Sequence, residues 1–291
     1  MENQQPVLFT TYMKSAELEG TRPLFTLADE AGQATEPTAA VLLANAVDGG
    51  HIMIVGDEHQ LAPTVKDRRA EWDGLSCSLL ARLNREHKGL GHVIMLVIQY
   101  RMHPDIQNFP NTQYYDNALL CGLTHAPKAI NGIPWPKMRN SGDRPGSSHT
   151  GDMDAERDPL HRVPYVHCDG EETNEGFSPY NKMQAWAVEY LLDSVHYQYH
   201  PTPTVLVLTP YRGQHTLLTE RLSKYGNSRV EVSTIDAAQG QEADLVIISL
   251  VRANATASVG FTDDAKRLNV AITRAKAGVV IVGHLATTLA A

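Results

Sequence analysis

A chain of 291 residues with 42 % hydrophobic content is long enough for one large or two ordinary domains and apolar enough to bury a normal core, which excludes a chain disordered throughout. The formal net charge of -8 argues against coating nucleic acid by bulk electrostatics, while a local cationic track stays open. The three cysteines, Cys77, Cys121 and Cys168, are far apart and odd in number; they offer neither a disulfide framework nor a C-x-x-C metal clip and fit a reducing compartment.

In chain order, residues 1–11 carry no basic cluster followed by an apolar run of signal length. No stretch reaches the ~18 apolar residues of a spanning helix. The expectation is a cytoplasmic or nuclear protein without a membrane partner. Apolar runs that end in polar or glycine residues predict strands over 24–28, 51–55, 93–97, 204–208, 245–251 and 279–282. Between them, helices are predicted over 36–46, 75–86, 104–113, 183–194, 214–224 and 264–275. Continuous rather than alternating apolarity is how parallel strands covered on both faces read. The predicted class is α/β, a doubly wound parallel sheet with ligands at the carboxyl ends of the strands. Residues 134–164, rich in Pro, Gly, Ser, Asp and Arg, read as a surface excursion. The polar stretch 84–91 reads as the domain break, giving domains 1–88 and 89–291.

Five short segments carry the chemistry. Asp29 and Glu30, at a predicted strand end, offer one carboxylate to hold Mg²⁺ through its water shell and a second to orient or deprotonate an attacking water. Gly56 permits a tight turn, and the Gln60 amide both donates and accepts, as a sensor of a γ-phosphate requires. In Gln99-Tyr100-Arg101-Met102-His103-Pro104 the guanidinium of Arg101 is suited to charge on a transferred phosphoryl group, and the Tyr100 ring to an adenine. The stretch 234–242 combines the Thr234 hydroxyl, Gly240 where backbone approaches a ligand, and Glu242 for a ribose hydroxyl. Arg267 and Arg274, seven apart, fall on one face of a predicted helix. A sixth stretch, Thr209-Pro210-Tyr211 and the three residues after it, opens a helix whose free N–H groups would favour an anion.

Taken in order, these segments resemble superfamily-one RNA or DNA helicases of the nonsense-mediated-decay (up-frameshift-like) branch, over most of the chain and least between 121 and 180. The resemblance implies a RecA-like P-loop NTPase fold, with a complete second RecA-like domain preceded by the C-terminal part of a first. It implies an ATP-dependent 5′-to-3′ helicase or translocase with ATP and Mg²⁺ as cofactors. Catalysis would rest on Glu30, Gln60, Arg101 and Arg274, and nucleotide binding on Asp29, Gln60, Tyr100, Arg101, Gly240, Glu242 and Arg274. Arg274 would reach the γ-phosphate as a second finger, and Asp29 would hold the metal. Single-stranded RNA or DNA would lie against Thr209, Pro210, Tyr211 and Thr234. One departure stands out: no Gly-Lys-Ser or Gly-Lys-Thr occurs, so the G-x-x-x-x-G-K-[ST] loop that grips the β- and γ-phosphates is not in this sequence.

Two readings follow from that departure. In one, the chain is a fragment of a helicase that needs an upstream phosphate loop; in the other, it is a catalytically inactive nucleic-acid- or protein-binding module. Either leaves room for a protein partner over the truncated first domain. His161, His167 and Cys168 match no structural zinc spacing and read as packing or surface residues. Trp72, Trp135 and Trp186 read as core or edge packing.

Overall fold

The computed structural model describes residues 7–18, 20–87, 92–124, 162–174, 176, 178–198, 203–226, 229–254, 256, 258–260 and 264–289. The expected excursion at 134–164 and Trp135 fall almost entirely outside them. The chain divides into two compact units, Met1–Met95 and Leu96–Ala291.

In the first unit, β1 (Phe25–Ala28) and β2 (His51–Ile54) pair in parallel, with Ala28 opposite Ile54. Between them runs α1 (Glu36–Leu43), started by Thr35, whose hydroxyl accepts the Thr38 N–H, with a proline in the first turn. A short helix, α2 (Arg68–Ala70), is capped by Asp67. The helix expected from residue 75 starts later, as α3 (Leu79–Glu86): Ser78 caps it, and Gly74 at φ +96 interrupts the turn before it. Arg82 ties α3 to α1 through Glu36. One face of the strand pair stays open. Phe25, Leu27 and Met53 are all more than half exposed, while Thr26 and Ala28 on the other face are buried.

The second unit holds a five-stranded, wholly parallel sheet in the order β5-β9-β8-β6-β7. Its strands are β5 (Tyr165–His167), β6 (Val205–Thr209), β7 (Val230–Thr234), β8 (Ala243–Ser249) and β9 (Ala275–Gly283). Helices α5 (Lys182–Gln198) and α6 (Arg212–Leu222) pack on one face, where Val188, Leu191, Leu192, Leu218 and Leu222 meet Val205, Val207, Leu245, Ile247, Val280 and Val282. On the other side α7 (Ala265–Thr273) packs against β8 and β9 and, with α4 (Pro104–Tyr114), closes the second layer. Coverage of both faces explains why the central strands β6, β8 and β9 are largely apolar along their length. A buried polar knot crosses the layers: Gln214 donates to Ser249 Oγ (3.0 Å), and Gln184 Oε1 accepts from Ser249 Oγ and the Val251 N–H (2.8 Å).

The strand expected over 93–97 does not form. Among the described residues only Val97 of this run meets a strand, its carbonyl accepting the Leu120 N–H, and Ile94 and Leu96 are left more than 80 % exposed. The chain pairs only at β3 (Ile98–Gln99), with β4 (Leu120–Cys121). Trp72 and Trp186 are not core residues either: Trp72 is 91 % exposed, and Trp186 is half exposed and stacked on Tyr190. Helix α8 (Leu285–Leu289) closes the described chain.

Candidate functional site

Within the first unit, Asp29 and Glu30 leave the carboxyl end of β1 and Gly56 and Asp57 follow β2, as expected of a ligand crevice. The two loops touch through their glycines. A Cβ on Gly32 would lie 2.7 Å from the Asp57 carbonyl, and one on Gly56 2.8 Å from the Gly32 nitrogen, so no other residue allows this approach. Asp29 is exposed, and its Oδ1 accepts the Glu30 N–H (2.8 Å). Glu30 itself sits at φ +52, a left-handed conformation that costs a non-glycine residue about 1–3 kcal/mol. Strain at a carboxylate beside a ligand-facing loop is characteristic of functional positions. Asp57 organises the second loop, accepting the His59 N–H and the Gln60 side-chain amide (both 2.9 Å). The Asp29 carboxylate, exposed and beside the strained Glu30, fits a hydrated Mg²⁺.

In the second unit the hexapeptide turn is built by Gln99. Its Oε1 accepts the N–H groups of Arg101 (2.8 Å) and Met102 (2.7 Å), and its Nε2 donates to the Met102 carbonyl and to Gln107 Oε1. The His103 N–H donates to the Lys276 carbonyl (2.9 Å), which docks the turn against the start of β9. Arg101 then donates through Nε to Glu242 (2.8 Å) and through Nη1 to the Thr273 carbonyl (3.2 Å). Arg274, buried at the end of α7, donates to the carbonyls of Val270 and Gln241 and to the Thr273 hydroxyl. Two guanidiniums from opposite ends of the unit's sequence thus meet around 241–242 and 273. Tyr100 is 68 % exposed, its ring edge lying over Gly122. Arg267 diverges from Arg274 and binds Asp236 (2.8 Å) and Asp264 (2.9 Å).

The expectation that all motifs lie at carboxyl strand ends holds in the first unit and fails in the second. Glu242 and Arg274 immediately precede β8 and β9, at their amino ends, whereas Thr209 and Thr234 finish β6 and β7. Because Val205 is level with Leu245 in a parallel register, these two sets occupy opposite ends of the sheet. The stretch 234–242 runs from one end to the other, with its 3₁₀ turn (Asp236–Ala238) anchored by Arg267.

At the carboxyl end the side chains of Thr209 and Tyr211 are buried, and Pro210 and Thr234 are partly exposed. At the N-terminus of α6 one N–H is taken within the protein: Ser178 Oγ accepts the Gly213 N–H (3.0 Å), and residues 178 and 179 press on Gly213 so closely that a Cβ would clash. At Gly240 a Cβ would meet no protein atom within 4 Å, and the φ of +81 by itself favours glycine there. Nearby, Val251 holds φ +70, unusual for a β-branched residue, pinned by Gln184 and Asn181. Gln99, Asp57, Lys276 and the Gln184–Gln214–Ser249 knot were not legible as site residues; single amides and a lysine carry no spacing signal.

Among the described residues His167, Asp169 and His284 form one cluster with metal-ligand atoms within 4.8 Å of one another. Its chemistry is that of a helix cap. His167 Nδ1 accepts the Leu285 N–H (3.0 Å) and His284 Nδ1 accepts the Thr287 N–H (3.3 Å), so each Nε2 carries the proton in the neutral ring. No helix among the described residues is long and apolar enough to cross a membrane.

The parallel sheet clothed by helices on both faces defines an α/β protein of the doubly wound class. Two family models, each described as an AAA domain, match residues 75–286 and 1–68. The chain belongs to this AAA-domain family, in its up-frameshift-like, superfamily-one helicase branch with a RecA-like fold. It is 35 % identical to regulator of nonsense transcripts 1 of Caenorhabditis elegans, covering 92 % of this chain and 24 % of the relative. It is 32 % identical to the ATP-dependent helicase NAM7 of Saccharomyces cerevisiae, over 89 % of this chain and 25 % of that protein. The chain therefore spans about a quarter of the length of these relatives. Among solved structures, the PRRSV helicase aligns over 89 % of this chain and 34 % of that one, at 16 % identity and a TM-score of 0.40.

Proposed function

We propose that this chain is the motor portion of an ATP-dependent helicase or translocase that moves 5′-to-3′ on single-stranded RNA or DNA and that depends on an upstream phosphate loop. The observation carrying the reading is the convergence of Arg101 and Arg274 around Glu242 and Gln241, because paired guanidiniums at one locus suit the charge of a phosphoryl group in transfer. Asp29 would hold Mg²⁺ through its water shell, and the ion would supply charge to neutralise the phosphates. Glu30 takes the proton of the attacking water, and Gln60, held by Asp57, contacts the γ-phosphate. Tyr100 stacks on adenine, while Gly240 and Glu242 face the ribose. The strand of nucleic acid passes the opposite end of the sheet, over Pro210 and Thr234, with Thr209 and Tyr211 as buried support. The stretch 234–242 couples the two ends. The domains act as 1–88 and 89–291, with cytoplasmic or nuclear location and a protein partner over the first.

The test is Glu30→Gln in the chain joined to a phosphate-loop-bearing first domain. Hydrolysis stimulated by nucleic acid and requiring Mg²⁺ is expected in the parent, and its loss with nucleotide binding retained in the variant. Undiminished turnover would sink the assignment. The second reading is a non-catalytic nucleic-acid- or protein-binding module. Titration calorimetry with Mg²⁺ and ATP on the chain by itself separates the two: weak binding that the added loop converts to hydrolysis supports the motor, and nucleic-acid binding with no hydrolysis in either form supports the module.

A further inference from the structure

The Glu242 side chain also bridges two cations. Its two carboxylate oxygens are divided between two cations: Oε2 accepts from Arg101 Nε at 2.8 Å, and Oε1 lies 2.7 Å from Lys276 Nζ. Lys276 has no assigned role, yet it occupies the second position of β9, and its own carbonyl accepts the His103 N–H, one turn of chain beyond Arg101. The same lysine therefore touches the arginine's turn through its backbone and the arginine's counter-ion through its side chain. The arginine is constrained from a third side by the Thr273 carbonyl.

We propose that Lys276 is a positioning residue that, through Glu242, fixes the direction of the Arg101 guanidinium. The physical reason is directional. A carboxylate facing a guanidinium alone swings between monodentate and bidentate pairings, because the fork of N–H donors offers several equivalent grips. With Lys276 drawn to Oε1, Oε2 is the oxygen turned to Arg101, and it accepts from Nε. Nη1 then donates to the Thr273 carbonyl. Burial is not the agent, since each of the three side chains keeps roughly a third or more of its surface exposed, and the order comes from the shared hydrogen bonds. Charge follows the same pattern: Lys276 first and Arg101 second draw the Glu242 carboxyl down to about 2, so that it is ionised at neutral pH. Two cations on one anion also leave the cluster with a net positive charge, which suits an approaching phosphate. The use of that orientation in phosphoryl transfer rests on the helicase reading; the orientation itself does not.

The experiment is solution NMR of the full chain labelled with ¹⁵N-arginine, without nucleotide, following the Arg101 Hε resonance, assigned by its disappearance in Arg101→Lys. Glu242→Gln is expected to speed Hε exchange with water about tenfold, the loss of one charge-assisted hydrogen bond. Lys276→Met is expected to speed it about threefold, with Lys276→Arg restoring the parent rate. An unchanged Hε shift and exchange rate in Lys276→Met overturns the proposal, as does a change that Lys276→Arg fails to restore. Circular dichroism on each variant separates loss of the bracket from loss of the fold, and a folded Lys276→Met protein with slow Hε exchange is a refutation. In the chain joined to a phosphate-loop domain, Lys276→Met should lower kcat in the parent and have no further effect in Arg101→Ala. Independent, additive losses overturn the proposal. No hydrolysis in the parent, with the NMR response intact, counts against the helicase reading alone.

Discussion

The strand pair of the first unit and the sheet of the second carry the same kind of sequence and meet different fates. Phe25-Thr26-Leu27-Ala28 and the run through Leu245 to Ile248 are both continuous apolar stretches ending in a polar turn. In the second unit that stretch is no more than 1 % exposed, because α5 and α6 cover one face and α7 approaches the other. In the first unit Phe25 is 57 % and Leu27 54 % exposed, since the two strands have a helix on one side only. An apolar strand records the environment it is suited to, and its neighbours decide whether that environment is supplied. A two-stranded sheet also leaves two edges of backbone donors and acceptors unpaired, which marks β1 and β2 as a surface that invites a further strand or a partner.

The comparison is broken most sharply at the level of chemistry. With a phosphate-loop domain attached, Arg101→Ala should cost on the order of 10³-fold in kcat if the second unit supplies the transition-state charge. An effect confined to KM would mean that this unit only binds the ground state. Arg274→Ala should cost as much, but it also strips the carbonyls of Val270 and Gln241 of a buried donor, so unfolding must be measured beside turnover.

Hydrogen exchange on the chain alone sharpens the contrast in stability. Amides across 25–28 should exchange fast, and those across 245–249 only through global opening. Equal, strong protection in both would mean that the first unit closes its sheet in some other way. Mutation gives a third comparison: Ile247→Ala, in a fully buried position, should destabilise by about 2–5 kcal/mol in urea denaturation. Leu27→Ala, half exposed, should cost under about 1 kcal/mol.

Acid gives the smallest effect and is specific to the second unit. The folded Glu242 carboxyl is depressed to about 2, below the ordinary glutamate value of about 4.3, so the unfolded chain takes up the proton first. Its stabilisation is whole above about pH 4.3 and is lost as the pH falls toward 2. Because Glu242 is 42 % exposed, solvent screening holds the contribution to under about 1 kcal/mol. Glu242→Gln should flatten that slope, measured by urea midpoints between pH 5 and 3. Cys168 offers a control in the other direction: burial first, and Asp169 second, push its thiol up to about 11, so alkylation at pH 8 should label the exposed Cys121 and spare Cys168.

Short-range pattern determined a good deal of this protein. The helix starts were written in caps such as Thr35 and in the proline after His103, and five of the six expected strands formed where the apolar runs lie, because capping and burial act on neighbours in the chain. The acidic pair, the glutamine of the second loop and the two arginines stood out as a set through their resemblance, in order and residue type, to helicase motifs. Tertiary structure alone decided the rest. Among the described residues, 93–96 pair with no strand, and a strand's hydrogen bonds belong to its neighbour. Only the parallel register put Glu242 and Thr209 at opposite ends of one sheet, and only packing buried Tyr211 and set Ser178 on the Gly213 N–H. The grip of Lys276 and Arg101 on one carboxylate joins residues far apart in the chain, and spacing along a sequence carries no trace of a contact made through space.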